Sequence, residues 1–89
     1  DYSMMGANTN VYDTDFHSIN AIERLNGKEG ISKPVCIGER CWVAANSTIL
    51  KGVTIGDEAV IGAMSLVNKD ISKKVFAAGV PAKEIKKIE

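Results

Sequence analysis

The chain has 89 residues, of which 45% are hydrophobic and 25% are charged, and its 11 acidic and 11 basic side chains balance. These are ordinary globular values, so the composition excludes bulk disorder and allows one small domain. A neutral chain has no field to hold a polyphosphate backbone, and no apolar run approaches the roughly 20 residues of a membrane span. Nucleic acid is therefore excluded as a partner, and a membrane-spanning helix is not expected.

The first predicted element is a pair of short strands of the repeat. Met5 and Val11 stand six residues apart, and Gly6 follows Met5. The chain enters this pattern without an initiator methionine, so we expect residues 1–89 to be the C-terminal part of a longer repeat domain. Solenoids need both ends covered, and no segment before Met5 would cover that end.

The second predicted element is a projecting loop. Residues 13–30 abandon the spacing of six before Ile31 restores it, and such a break inside a solenoid predicts a functional loop. The loop holds His17, the only histidine of the chain. Imidazole titrates near neutral pH and is a common general base, although a histidine in a loop is also an ordinary surface residue. From the residues alone both interpretations stay open.

Residues 31–72 carry the strongest pattern, which has an Ile or Val at every sixth position. A small or branched side chain follows each of them four residues later, and a glycine often follows directly. The apolar positions are Ile31, Ile37, Val43, Ile49, Ile55, Ile61 and Val67.

This period predicts a parallel β-helix. Side chains alternate faces along a strand, so a short strand and a corner in every six residues return one large side chain to the interior. Three such units close an 18-residue coil. When coils stack, the Ile and Val side chains of successive coils lie above one another, an arrangement that suits their stiff, β-branched side chains. An antiparallel sandwich would instead show period two with turns every 8–12 residues. General rules of chain connection favour right-handed crossovers, so the pattern does not supply a left hand.

The last predicted element covers residues 73–89. Val75 to Gly79 reads as extended, and Pro81 suits the first turn of a short C-terminal helix. Ile85 and Ile88 would share one face of that helix. We expect it to cover the open end of the triangular prism that the stacked coils form.

Three linked motifs stand at Lys33-Pro34-Val35-Cys36-Ile37-Gly38, Ile49-Leu50-Lys51-Gly52-Val53-Thr54-Ile55-Gly56-Asp57 and Ala78-Gly79-Val80-Pro81-Ala82-Lys83. Together they resemble the hexapeptide-repeat acetyltransferases that modify galactosides, maltose and polysaccharides. The resemblance implies an all-β, left-handed parallel β-helix. It also implies a cytoplasmic homotrimer that binds acetyl-CoA in clefts between neighbouring prisms and needs no metal.

The resemblance further implies an O-acetyltransferase acting on a sugar or polysaccharide hydroxyl. His17 matches the general base of the family, while Asp15 and Trp42 match the side of the site that receives the acceptor. Asp13 and Asp15 are alternatives for orienting the imidazole, and Trp42 fits a subunit interface equally well.

Five further residues match positions along acetyl-CoA. Ala45 and Ala63 match the backbone beside the pantetheine arm, where small side chains allow close approach. Asn68 and Lys69 match the nucleotide end. Lys83 matches a basic position that is often arginine in relatives, so a non-bidentate contact with phosphate is implied here.

Three other functions compete with this interpretation. A γ-class carbonic anhydrase shares the prism but needs three histidines around zinc, and this chain has one. An N-acyltransferase acting on a nucleotide amino sugar would use the same donor and a similar base. A trimeric β-helix scaffold without catalysis is the non-enzymatic alternative. The last two stay open.

Overall fold

A computed structural model describes residues 3–14, 20–27, 30 and 32–89. Strands stack in three faces, which we call the first, second and third face. The first face contains β1 (Met4–Met5), β4 (Trp42–Val43), β7 (Val60–Ile61), β9 (Val75–Gly79) and β10 (Ala82–Lys87). The second contains β2 (Asn10–Val11), β5 (Thr48–Ile49) and β8 (Leu66–Val67), and the third contains β3 (Cys36–Ile37) and β6 (Thr54–Ile55).

The parallel coils predicted from the period of six are confirmed. All pairs are parallel except β9–β10, and Cys36 pairs with Thr54, Trp42 with Val60 and Thr48 with Leu66, each 18 residues apart. Each short strand therefore lies on its equivalent in the next coil.

The interior of the prism is the predicted ladder. The residues of the repeat frame are almost completely buried at Val43, Ile49, Ile55, Ile61 and Val67. The residues four places later fill the corners, and they too are buried: Cys41, Ser47, Val53, Ala59, Ser65 and Ile71. Ile31, the first residue of this frame, lies outside the described residues.

A corner residue in several successive repeats adopts the left-handed backbone conformation. Asn46, Gly52, Glu58 and Met64 have φ angles between 59° and 75° and follow one another every six residues. Asn and Gly adopt this conformation at low cost, whereas Glu58 and Met64 do so against their intrinsic preference. These four corners therefore turn alike although their residues differ.

An insertion separates the first two coils. Met4 pairs with Trp42, a step of 38 residues rather than 18, so 20 additional residues lie between these coils. Thr14 and Ser32 form an antiparallel bridge where the chain leaves the prism and returns. Within the insertion, α1 (Ala21–Leu25) begins after Asn20. The side-chain oxygen of Asn20 accepts hydrogen bonds from the backbone N–H groups of Ile22 and Glu23, both at 3.0 Å, and so caps the helix. Nothing helical in the described part of the chain reaches the length and hydropathy that a membrane crossing requires.

The predicted C-terminal helix is wrong, because residues 82–87 form strand β10. β9 pairs with β7 on one side, which leaves the other edge of β9 with unpaired backbone groups. β10 folds back antiparallel and pairs with that edge through a two-residue turn at Val80-Pro81, whose peptide bond is cis. Pairing satisfies the edge, which a helix would leave open. The spacing of Ile85 and Ile88 suggested a helix, yet Ile85 is 60% exposed next to a register shift.

Candidate active site

The first corner, which joins the first and second faces, consists of residues 6–9, 44–47 and 62–65. Ala45 and Ala63 occupy the same place in successive coils, and the Met64 N–H donates to the Ala45 carbonyl at 3.0 Å. Ala63 is exposed and Ala45 is half-buried. The structure thus brings the two predicted pantetheine-binding alanines together in one stripe of small side chains, beside which a slender ligand can lie against the backbone.

Buried hydroxyl groups line the inner side of this corner. Ser47 and Ser65 are 0% and 2% exposed, and both donate hydrogen bonds to the Gly62 carbonyl, at 3.0 and 2.7 Å. Thr9, one coil earlier, donates to the Gly6 carbonyl at 2.9 Å. From the sequence, these residues are expected only as small corner residues. Their signal is a recurrence every 18 residues, once the insertion is removed.

The second corner joins the second and third faces and consists of residues 32–35, 50–53 and 68–70. It carries Asn68 and Lys69, which are both exposed. Lys33 and Lys51 occupy the place of Lys69 in the two preceding coils, and the Gly52 N–H donates to the Lys33 carbonyl at 3.3 Å. Lys69 was predicted as a site residue, but this basic row was missed, although its spacing of 18 is visible in the sequence. The row provides positive charge for a phosphate-bearing ligand.

The two predicted halves of the donor site are not on the same corner. Ala63 precedes strand β8 and Lys69 follows it, so the second face separates them. The inserted segment also leaves from the second corner, between β2 and β3. One prism therefore does not bring Ala45 and Ala63 together with Asn68 and Lys69.

Trp42 lies on the outer side of the first face and is 49% exposed. Strand pairing places it between Met4 and Val60, and Phe76 follows in the same column. Lys83 lies on β10 opposite Ala78, two residues after the Val80-Pro81 turn, and it is exposed. These two predicted residues therefore share a face of the prism but belong to different strands of it.

His17 and Asp15, the predicted base and acceptor-binding residue, lie outside the described residues. Their neighbour Asp13 is described. Its carbonyl accepts a hydrogen bond from the Lys33 N–H at 2.8 Å, which holds the base of the insertion against the second corner.

Among the described residues, Arg40 and Glu84 have shifted pKa values, and both make contacts between parts of the scaffold. The hydrogen bond from Ser72 lowers the pKa of the Glu84 carboxyl, and a hydrogen bond with Glu58 raises the pKa of Arg40. The Ser72 N–H lies 2.9 Å from Glu84 Oε2, and the Arg40 guanidinium lies 3.1 Å from Glu58 Oε2. In the described part of the chain, no group of three or more His, Cys, Asp or Glu side chains could hold a metal ion.

A groove of about 530 Å³ lies on the third face and reaches the second corner at Asp70. Its walls include Cys36, Thr54, Asp70 and Lys73. None of the predicted site residues that the structure describes lines it. We therefore place the candidate site at the corners rather than in this groove.

Comparison with known proteins also identifies hexapeptide repeats in this chain. The family model described as bacterial transferase hexapeptide (six repeats) matches residues 36–69. The chain is 47% identical over 72 residues to the galactoside O-acetyltransferase of Escherichia coli (strain K12), an alignment covering 81% of this chain and 35% of that protein. A crystal structure of galactoside acetyltransferase in complex with coenzyme A superposes with a TM-score of 0.91 at 40% identity, over 98% of this chain and 42% of that one.

A hexapeptide-repeat acetyltransferase of Vibrio cholerae O1 biovar eltor, complexed with acetyl coenzyme A, is also similar. Its TM-score is 0.90 at 32% identity, over 99% of this chain and 47% of that one. The chain spans about two fifths of the length of the curated relatives that it matches.

The stacked 18-residue coils define this protein as a parallel β-helix of hexapeptide repeats, and its likeness to these structures implies the left-handed form. The chain contains bacterial transferase hexapeptide repeats and is similar to hexapeptide-repeat acetyltransferases.

Proposed function

We propose that the protein is an acetyl-CoA-dependent O-acetyltransferase acting on a hydroxyl of a sugar or polysaccharide. The observation that carries this proposal is the likeness, over nearly the whole chain, to two acetyltransferase structures that hold coenzyme A or acetyl coenzyme A. The stripe of Ala45 and Ala63 supports it, since a thioester arm needs an approach to backbone that larger side chains would block.

The chemistry requires a base and a donor. His17 removes the proton of the acceptor hydroxyl, and the oxygen attacks the thioester carbonyl carbon. The carbon–sulfur bond then breaks, the acetyl group stays on the acceptor oxygen, and the coenzyme A thiolate takes up a proton. Asp15 and Trp42 bind the acceptor. No covalent intermediate on the protein is needed, because His17 acts on the acceptor directly.

The positions of the two corners support a homotrimer. A donor that contacts Ala63 with its arm and Lys69 with its nucleotide lies between the first corner of one prism and the second corner of the next. Contact between two unlike surfaces of one chain generates a ring when the rotation closes, and the family resemblance predicts closure at three. Sedimentation equilibrium tests this directly. A monomer that transfers acetyl groups at the full rate would contradict it.

A cytoplasmic location is part of the proposal. Cys36 and Cys41 are both free thiols, as expected where glutathione keeps cysteines reduced.

The test of the proposed function is acetyl-CoA-dependent release of free thiol by the full chain with a panel of acceptors. The panel contains galactosides, maltose, an acidic polysaccharide and a nucleotide amino sugar. We expect release that requires a hydroxyl acceptor and falls at least about a hundredfold in His17→Ala, the lower range for loss of a general base. Ser18→Ala, a change beside it in the same segment, is the control and keeps most of the activity.

Each other outcome selects an alternative. Release only with the amino sugar would favour N-acyl transfer. Release that is equal in wild type and His17→Ala would exclude His17 as the base. Absence of release with every acceptor, together with an intact trimer, would favour the scaffold.

A further inference from the structure

The Gly62 carbonyl is held from two coils at once. Ser65 in its own coil and Ser47 in the preceding coil both donate hydroxyl hydrogen bonds to it, at 2.7 and 3.0 Å. Both serines are buried, so this oxygen points into the prism. Among the described residues no buried side-chain polar atom lacks a partner. The arrangement is therefore complete, and it fixes the direction of one peptide group.

That direction determines where the next N–H points. A trans peptide is planar, so its N–H points opposite to its carbonyl. With the Gly62 carbonyl turned inward, the Ala63 N–H turns outward at an exposed residue of the first corner. No acceptor in the described part of the chain takes this N–H.

The third corner, which joins the third and first faces, shows what such an N–H does when an acceptor is near. There, Ser3 donates to the Gly38 carbonyl at 2.9 Å, and the next N–H, that of Glu39, donates to the Asp57 carboxylate at 2.8 Å. Alanine side chains cannot supply an acceptor in this way. The outward Ala63 N–H of the first corner is therefore available to a ligand.

We propose that Ser47 and Ser65 are positioning residues, whose buried hydroxyls orient the Ala63 N–H toward an amide carbonyl of the pantetheine arm. This proposal rests on the proposed donor site. Neither serine touches the donor, so their effect reaches it only through the Gly62–Ala63 peptide.

The test separates the arm of the donor from its nucleotide. Binding of coenzyme A and of adenosine 3′,5′-bisphosphate, which lacks the arm, is measured by calorimetry on the full chain. We expect Ser47→Ala and Ser65→Ala to weaken coenzyme A binding about three- to tenfold, the value of one hydrogen bond, and to leave bisphosphate binding unchanged. In turnover, KM for acetyl-CoA rises by the same factor, while KM for the acceptor stays constant.

Two further variants guard against a general loss of structure. Ser65→Cys keeps a donor of similar size, as Cys41 shows at the third corner, where its thiol lies 3.2 Å from the Gly56 carbonyl. It should restore most of the affinity for coenzyme A. Cys41→Ala removes that equivalent buried contact from the corner without the stripe, and coenzyme A binding should not change.

The possible failures differ from one another. If wild type binds coenzyme A and both serine variants bind it equally well, the positioning role is wrong and the donor site stands. A parallel loss of bisphosphate binding would also overturn the role, because Ser65 accepts a hydrogen bond from the Gly79 N–H and would then act through the β9–β10 hairpin. If wild type does not bind coenzyme A, the donor site fails, and the positioning role fails with it.

Discussion

Asp57 Oδ1 accepts a hydrogen bond from the backbone N–H of Glu39 at 2.8 Å, across the boundary between two coils. The same oxygen lies where a side chain at Gly38 would begin. The contact thus couples a glycine in one coil to a carboxylate in the next. In the sequence, both residues stand out only as parts of a motif.

We expect Asp57→Ala to lower the free energy of unfolding by about 1 kcal/mol, because the Glu39 N–H loses its acceptor in the protein. Asp57→Asn keeps a side-chain oxygen and should lose less than half of that. Urea unfolding measures both. Equal losses in the two variants would mean that the charge of Asp57 matters rather than its hydrogen bond.

Gly56→Ala should lower the free energy of unfolding by about 1–3 kcal/mol. A methyl group there would collide with the backbone of Ser72 and Lys73 in the next coil, which is not free to move aside. Ala44 occupies the same place in another repeat and already has a methyl group. Ala44→Gly is therefore the control, with a loss of about 0.5–1 kcal/mol from backbone freedom alone. A Gly56→Ala protein as stable as wild type would show that the coils can separate locally.

Ile49→Ala should lower the free energy of unfolding by about 2–5 kcal/mol and Ile49→Val by about 0.5–1.5 kcal/mol. Ile49 is completely buried in the ladder, whereas Ile85 is 60% exposed on β10. Ile85→Ala should change stability by at most about 0.5 kcal/mol. Thermal unfolding distinguishes them, and a large loss at Ile85 would indicate that β10 is covered in the assembled protein.

The stability contributed by Glu84 should depend on pH in one direction. Its pKa is lowered in the folded state by the hydrogen bond from Ser72, so the unfolded chain binds the proton more readily. The contribution is complete above the ordinary glutamate range and is lost as the pH falls through the lowered pKa. The advantage of wild type over Glu84→Gln in urea should therefore be present at about pH 7 and diminish as the solution is acidified below the ordinary glutamate range. Glu89→Gln is the control, since Glu89 makes none of the described hydrogen bonds. An advantage that grows in acid would contradict the assignment.

Lys83→Ala should raise KM for acetyl-CoA about two- to tenfold, in a way that weakens as salt is added, because Lys83 is proposed to contact a phosphate. Lys83→Arg should lower KM, since guanidinium binds phosphate through two hydrogen bonds. Lys86→Ala, a change on the same strand, is the control. A KM that does not respond to the charge at residue 83 would remove this residue from the donor site.

The scaffold could be predicted well from the sequence because it repeats. A period of six determines which side chains point inward, so the spacing alone places Val43, Ile49 and Ile61 in the core, where they lie. The family resemblance supplied the candidate residues. Their distribution over different corners follows only from pairing in steps of 18, which the insertion obscures between Val11 and Cys36.

The C-terminal segment was predicted wrongly because local and long-range preferences disagree there. Pro81 and the spacing of Ile85 and Ile88 satisfy the rules for a helix. The free edge of β9, however, is created only when that strand joins the first face. No local sequence pattern predicts this edge. The hydroxyl contacts of Ser47 and Ser65 were missed for a similar reason, since their common acceptor is defined by the stacking of two coils.

The pairing of Met5 with Val43 and of Val11 with Ile49 continues across the insertion as if it were absent. Among the described residues, the Thr14–Ser32 bridge and the hydrogen bond from the Lys33 N–H to the Asp13 carbonyl join the two ends of the inserted segment. A segment that enters and leaves at a single point can vary in length and sequence without any residue of the prism changing its neighbours. The stacking of the prism and the composition of the inserted segment can therefore change independently during evolution.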